Sequence, residues 1–349
     1  MDGTYAARLA GEGESLFPER WTLDGPEPYA VPLPLAQPEE RGTDVRPLTD
    51  GRVLIRRQAA GRHLFSLVYP TDPGTGEISL GGVESAELRL LPPSPDGTRA
   101  YAVVPGERSS SVWLVAGGAF GPEHVAEIPG HCSGGVWLDR TGRMLALDRR
   151  HAQGPLKAVA VDLERGGEVS PLLQISETSD DRLVLADPDS GLLLIRSNAP
   201  GQELLGWGVL GSSQPVRFPE SLRPPGCSVT PFAVQPGQTL LPESCGVALW
   251  VEGAAGSRLG VWRPSGRRLH QLAAPVGWMA GAGTWSDTGV LRLPCVREAG
   301  GCGVARLDAA RVFGTEEPPR EEPEPPVVPV VCRPVPLQQA PLMGRTGLG

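Results

Sequence analysis

SPDGTRAYAVV, residues 94–104, is a tight turn followed by an alternating apolar run. Pro95 presets φ at the second turn position. Asp96 can accept a hydrogen bond from a backbone N–H two residues on, and Gly97 can take the positive φ that other residues resist. Beyond the turn, Ala100, Ala102 and Val104 face one way and Tyr101 and Val103 the other. Such a run predicts a strand covered on both faces.

The unit recurs along the chain. Gly51 is followed by RVLI, Gly142 by RMLALD, Gly191 by LLLIR, Gly246 by VALWVE and Gly289 by VLRLP, at successive spacings of 46, 45, 49, 55 and 43 residues. A second apolar strand follows each glycine after 12 to 15 residues, starting at His63, Val112, Lys157, Leu204, Leu259 and Val304. An inner strand is expected before the turn (87–91, 135–138, 183–186, 284–286). A weaker outer strand is expected after the third (77–80, 124–128, 169–175, 215–218, 268–273), although none is evident in the sixth unit. About 45 residues holding four short strands is the period of a propeller blade. The expectation is therefore an all-β, six-bladed β-propeller over 29–313. The segment 29–35, YAVPLPL, would complete the last blade and protect its edge. Residues 1–28 are expected to be loosely ordered, and 314–349 to be a Pro-rich tail.

On the unit at 94–104, with weaker copies at 139–147 and 286–293, the chain resembles the WD40-like and TolB-type propeller repeats from about Tyr29 to Val312. The Trp-Asp dipeptide of strict WD40 repeats is absent, Trp285-Ser286-Asp287 being the nearest approach. The resemblance implies an architecture, and propellers host enzymes, scaffolds and ligand binders alike.

Composition narrows the function classes. The net charge of −8 opposes generic nucleic-acid binding through a basic field. One lysine, Lys157, stands against 31 arginines, as a GC-rich genome would give. The opening residues lack a basic start and apolar core, and no run has the apolar length of a membrane span. A cytoplasmic, monomeric protein is expected, with no cofactor, nucleic acid or membrane partner. Of the six cysteines, Cys295 and Cys302 could face each other across a hairpin. Cys227 and Cys245 bracket an expected surface insertion at 228–244. In a reducing compartment separate thiols are the expectation.

Most catalytic classes lack their residues. A P-loop ends in Gly-Lys-Ser/Thr, and the one lysine follows Leu156. No His-x-His or His-Glu-x-x-His pair offers a compact zinc site. Asp187-Pro188-Asp189-Ser190-Gly191 departs from a calcium loop in its glycine position, and Asn198 stands where a bidentate Glu belongs. Cys132-Ser133-Gly134-Gly135, beside His131, is the nearest likeness to a nucleophile setting, and glycine pairs are common in loops before inner strands.

One constellation depends on the repeat. Loops joining second to third strands should share one face of the ring: RRQAAGR (56–62), PGERSS (105–110), DRRHAQG (148–154), RSNAPGQ (196–202), EGAAGSR (252–258) and VREAGG (296–301). Their formal charges sum to +5, and those of the opposite turns to −6. Asp suits turns and Arg solubilises loops, which explains the pattern without a ligand. The functional reading is a non-catalytic interaction module. It would bind an acidic protein segment or anionic ligand through Arg56, Arg57, Arg62, Arg149, Arg150 and Arg196, since the planar guanidinium grips carboxylates in a fork. The alternative is an enzyme or small-molecule binder at the channel mouth, near His131, Ser133 and His151.

Overall fold

The computed structural model describes residues 4–25, 27–297 and 301–314, so the tail expected at 314–349 lies almost wholly outside the described residues. The turn at 94–97 forms as its residues require. Gly97 has φ 68°, Asp96 Oδ1 accepts from the Thr98 N–H at 3.1 Å, and Ala100–Val104 is a buried strand. Asp139 repeats the cap by accepting from the Met144 N–H at 3.0 Å, and Asp187 by accepting from the Ser190 N–H at 3.0 Å.

The strands group into seven antiparallel sheets, each of sequence-contiguous strands. Blade 1 holds β1 (Tyr5–Ala10), β2 (Phe17–Thr22) and β3 (Tyr29–Pro32). Blade 2 holds β4 (Asp44–Pro47), β5 (Val53–Ala59), β6 (Arg62–Thr71) and β7 (Gly74–Glu84). Blade 3 holds β8 (Arg89–Leu90), β9 (Ala100–Val104), β10 (Ser109–Ala116) and β11 (Glu123–Pro129). Blade 4 holds β12 (His131–Trp137), β13 (Met144–Arg150), β14 (Leu156–Asp162) and β15 (Glu168–Leu173). Blade 5 holds β16 (Asp181–Ala186), β17 (Leu192–Ser197) and β18 (Leu204–Val209). Blade 6 holds β19 (Cys227–Val234), β20 (Val247–Gly253), β21 (Gly256–Trp262) and β22 (His270–Ala273). Blade 7 holds β23 (Thr284–Trp285), β24 (Val290–Val296) and β25 (Cys302–Asp308).

The core lies between blades rather than in one centre. Leu91, Tyr101 and Ile128 of blade 3 pack on Trp137, Leu145 and Leu147 of blade 4. Leu194 and Trp207 of blade 5 pack on Val247, Leu249 and Trp262 of blade 6. Blades 2 to 5 are thus covered on both faces, which is why their central strands read as continuous apolar runs.

The expectation of six blades is corrected to seven. The segment 29–35 does not complete the last blade, and 1–28 contributes two strands to a sheet of its own. This sheet was hidden because it lacks the turn unit and carries charges inside its strands. Those charges are internally satisfied: Glu19, 7% exposed, accepts from Arg8 Nε at 2.8 Å and from Trp21 Nε1 at 2.6 Å. One face of blade 1 packs Ala7, Val31, Leu33 and Leu35 against Val53, Ile55 and Val68 of blade 2. The other packs Ala6, Trp21 and Ala30 against Val296, Cys302 and Val304 of blade 7, and Arg292 pairs with Asp24 at 2.7 Å. The ring closes by side-chain packing. Among the described residues no sheet joins strands from the two chain ends.

Two smaller readings also change. Residues 227–234 are the inner strand of blade 6, so the insertion begins only after Val234. Cys302 is the cross-strand neighbour of Val296. Adjacent residues point to opposite faces of a sheet, so Cys295 and Cys302 cannot face each other. Cys227 and Cys245 are free as well, and Cys245 Sγ lies 3.2 Å from Ser190 Oγ. No helix among the described residues is long and apolar enough to cross a membrane.

Candidate functional site

The repeat gives the ring two distinct faces. On one, neighbouring first-to-second-strand turns bind each other in sequence. Thr49 N donates to Gly97 O at 3.1 Å, Arg140 chelates Asp189, and the Gly237 N–H donates to Asp189 Oδ2 at 2.7 Å. Arg140 beside it holds the Asp189 carboxyl below its ordinary range. Asp96, Asp139, Asp187 and Asp189 of this face are thus engaged as turn caps or blade-to-blade links.

The six arginines predicted on the other face separate into two groups. Three are held by the fold itself. Arg56 pairs with Asp44 at 2.6 Å and contacts His63 Nδ1 at 2.9 Å. Arg57 grips both oxygens of buried Glu39 and reaches Glu77 at 2.7 Å. Arg196 donates to the Val229 carbonyl and lies 3.7 Å from Glu203. Arg62 has only an exposed contact with Glu84 at 3.5 Å, and Arg150 one with Asp180 at 3.6 Å. Arg149 makes no ion pair or side-chain hydrogen bond among the described residues. Arg149 and the Arg108 main chain both border Gly130. The Gly130 N–H donates to Arg108 O at 2.7 Å, and a Cβ on Gly130 would lie 3.1 Å from Arg149 Cγ. Arg108 and Arg182 also lack side-chain partners and are exposed. In the sequence Arg108 lies in the loop 105–110, where nothing local distinguishes it from its paired counterparts. Arg182 was missed because it starts an inner strand rather than a loop.

A cavity of about 610 Å³ adjoins the Arg57 network, lined by Leu35, Glu39, Thr43, Leu64 and Glu77 among others. Its guanidinium is already spanned by two carboxylates, so this cavity offers an acidic ligand no free cation.

The face of blade 4 turned toward blade 5 carries a different feature. Ser133 pairs across the sheet with Asp148, and His131 with Arg150, so these four side chains share one face. A bulge follows at Gly134 and Gly135, where the register of β12 against β13 shifts. Asp148 is 6% exposed. Its Oδ1 accepts from the Leu183 N–H of blade 5 at 3.1 Å. Its Oδ2 accepts no hydrogen bond among the described residues, and a Cβ on Gly134 would meet it at 3.0 Å. Burial pushes the Asp148 carboxyl up to about 6, against the opposing pull of the Leu183 N–H and Arg182. Ser133 makes no hydrogen bond to His131 or His151, and His151 is exposed. Cys132, 1% exposed, has its thiol pushed up to about 11 by burial, which leaves it unreactive.

Lys157 is structural. Its Nζ meets Asp181 Oδ2 at 2.7 Å and donates to the carbonyls of Ser176 and Ser179. Asp181 is fully buried, and Ser197 also donates to it at 2.6 Å.

No protein-family model matches the chain, and no curated protein sequence does. Solved structures do. Prolyl oligopeptidase B from Galerina marginata aligns with a TM-score of 0.55 at 12% identity, over 87% of this chain and 47% of that one, so this chain spans about half its length. The β-propeller domain of the Trilobed protease from Pyrococcus furiosus aligns with a TM-score of 0.50 at 14% identity, over 87% and 96%. TolB from Acinetobacter baumannii aligns with a TM-score of 0.47 at 12% identity, over 87% and 76%. TolB propellers are thus among the similar structures, and at such identities the likeness is one of fold.

Proposed function

We propose that this propeller is a non-catalytic interaction module that binds an acidic protein segment on the face bearing the second-to-third-strand loops, in the sector of blades 3 to 5. The observation that carries the reading is the division among the arginines. Arg56 and Arg57 of blade 2 are neutralised internally, whereas Arg108, Arg149 and Arg182 make no ion pair with a carboxylate. In a chain of net charge −8, these three arginines are cations that the sector's own acids do not pair. Unpaired guanidiniums can attract an anionic partner to that sector.

Fluorescence anisotropy with a labelled hexaglutamate peptide tests the proposal. Wild type should bind, with affinity falling as salt rises. The triple variant Arg108→Ser, Arg149→Ser, Arg182→Ser should lose binding while keeping its fold. Arg62→Ser should change little. Equal binding by wild type and the triple variant would remove the proposal.

A further inference from the structure

We propose that a cavity beside the seam of blades 5 and 6 takes one leucine-sized apolar side chain of the bound segment, so that the partner is an acidic peptide with an apolar residue among its carboxylates. The inference rests on the acidic-segment reading above and names the side chain that anchors the segment.

The cavity has a volume of about 260 Å³ and is lined by Pro224, Pro225, Cys227, Val251, Ala254 and Arg258 among others. These residues come from the connection that enters blade 6 and from the hairpin of β20 and β21, which is one of the second-to-third-strand loops. The cavity therefore belongs to the arginine-bearing face. Val251 is part of the core that joins blade 5 to blade 6, and half-buried Cys227 packs on that core. Small residues make the space. The hairpin tip reads Gly253-Ala254-Ala255-Gly256, and a Cβ on Gly253 would stand 2.7 Å from Cys227 Sγ. Small-molecule pockets run from about 300 to 1,000 Å³, so this smaller one suits a single side chain better than a cofactor.

The lining fixes the chemistry of the occupant. Arg258 is its one charged residue. It is exposed and makes no ion pair or side-chain hydrogen bond among the described residues. An apolar group leaves water on the proline, valine and alanine surface, and a carboxylate beside that group meets the guanidinium. The fold also joins this cavity to the unpaired arginines. Arg182 and Arg196 are cross-strand neighbours in blade 5. Arg196 donates to the Val229 carbonyl of β19, and Val229 pairs with Val251 of the cavity wall. Strands about 4.8 Å apart and sheets about 10 Å apart put that wall about 20 Å from Arg182, a span of roughly six extended residues. One short acidic segment can therefore serve Arg182 and Arg258 and bury an apolar side chain between its acids.

The test compares two acetylated peptides by isothermal titration calorimetry, each with a central leucine or glycine flanked on both sides by six glutamates. The central position serves either chain direction. Proteins are wild type, Ala254→Trp, which sets an indole over the cavity, and the Arg108/Arg149/Arg182 triple serine variant. Ala254 is exposed on its hairpin, so the fold should hold, as circular dichroism would check. Wild type should bind the leucine peptide about tenfold more tightly than the glycine peptide, the scale of one partly buried side chain. Ala254→Trp should erase that preference, whereas the triple variant should weaken both peptides. Cys227 gives a second readout that needs no cavity variant. In a Cys332→Ser background, saturating leucine peptide should slow its alkylation by iodoacetamide about tenfold, and glycine peptide should not. If wild type binds both peptides equally and neither protects Cys227, the anchor is overturned, and weakening of both by the triple variant leaves the acidic-segment reading standing. If the triple variant binds both peptides as wild type does, the acidic-segment reading falls, and the leucine preference with protection of Cys227 still supports the anchor. If octanoate protects Cys227 and the leucine peptide does not, the cavity is a site for a small carboxylate and the anchor is overturned.

Discussion

Replacing Asp148 by Asn should make the protein more stable at neutral pH and leave it unchanged in acid. The carboxyl sits near its ordinary value of 3.8 in the unfolded chain and is pushed up to about 6 in the fold by burial. The native state therefore binds the proton more tightly than the unfolded state. For a carboxylate raised in this way, the linkage favours folding below the unfolded pKa. That benefit is lost as pH rises through the folded pKa. The difference is worth about 3 kcal/mol, taking about 1.4 kcal/mol per unit, and is complete above pH of about 7. Asn retains an oxygen to accept from the Leu183 N–H and has no charge to bury. Urea unfolding of both proteins at pH 4, 5, 6 and 7.5 would measure the gap, with pH effects common to both cancelling in the difference. The gap should be small at pH 4, about 0.5 kcal/mol, and open toward about 3 kcal/mol in favour of the variant by pH 7.5. A gap independent of pH, or a wild type more stable at pH 7.5, would refute the argument that burial without a full set of donors raises this carboxyl.

Lys157→Met should cost on the order of 3 kcal/mol, because it leaves Asp181 buried with its cation removed; thermal and urea unfolding would show it. Arg57→Ala should likewise destabilise, by roughly 2 kcal/mol, since it strips Glu39 of its guanidinium, while Arg149→Ala should lie within about 0.5 kcal/mol of wild type by the same measurement. Trp21→Ala should cost about 3–5 kcal/mol in urea unfolding, because Trp21 is buried between blades 1 and 7 and an uninvolved N-terminal segment would lose nothing. In a Cys332→Ser background, Ellman's reagent should modify half-buried Cys227 quickly and the buried thiols of Cys132 and Cys245, pushed up to about 11, only after unfolding. Non-reducing mass spectrometry should find no Cys295–Cys302 or Cys227–Cys245 link.

The architecture was legible because one local device repeats. A Pro-Asp-Gly turn specifies its own geometry through φ preferences and an aspartate cap, and a two-sided apolar strand follows it in phase. Both are properties of a few adjacent residues, so 94–104 announces them and the copies count them. Blade 1 was illegible for the converse reason. Arg8, Glu19 and Arg20 interrupt its apolar pattern, and their neutralisation depends on residues brought across the sheet, as with Trp21 Nε1 on Glu19. The first blade could not be counted from turns it does not contain.

The same division holds for the candidate site. Alternation and turn placement put the arginine-bearing loops on one face, and the sequence by itself determined that much. Which arginines are available was decided only by tertiary structure, because Glu39 lies 18 residues from Arg57 and meets it only when the connection after blade 1 folds over blade 2. Asp148 is the clearest case. In the sequence it is an ordinary acid preceding Arg149 and Arg150. The fold removes it from water, gives it one donor from the next blade and leaves its second oxygen facing a glycine. Burial and missing partners are relations between distant residues, and no local pattern encodes them.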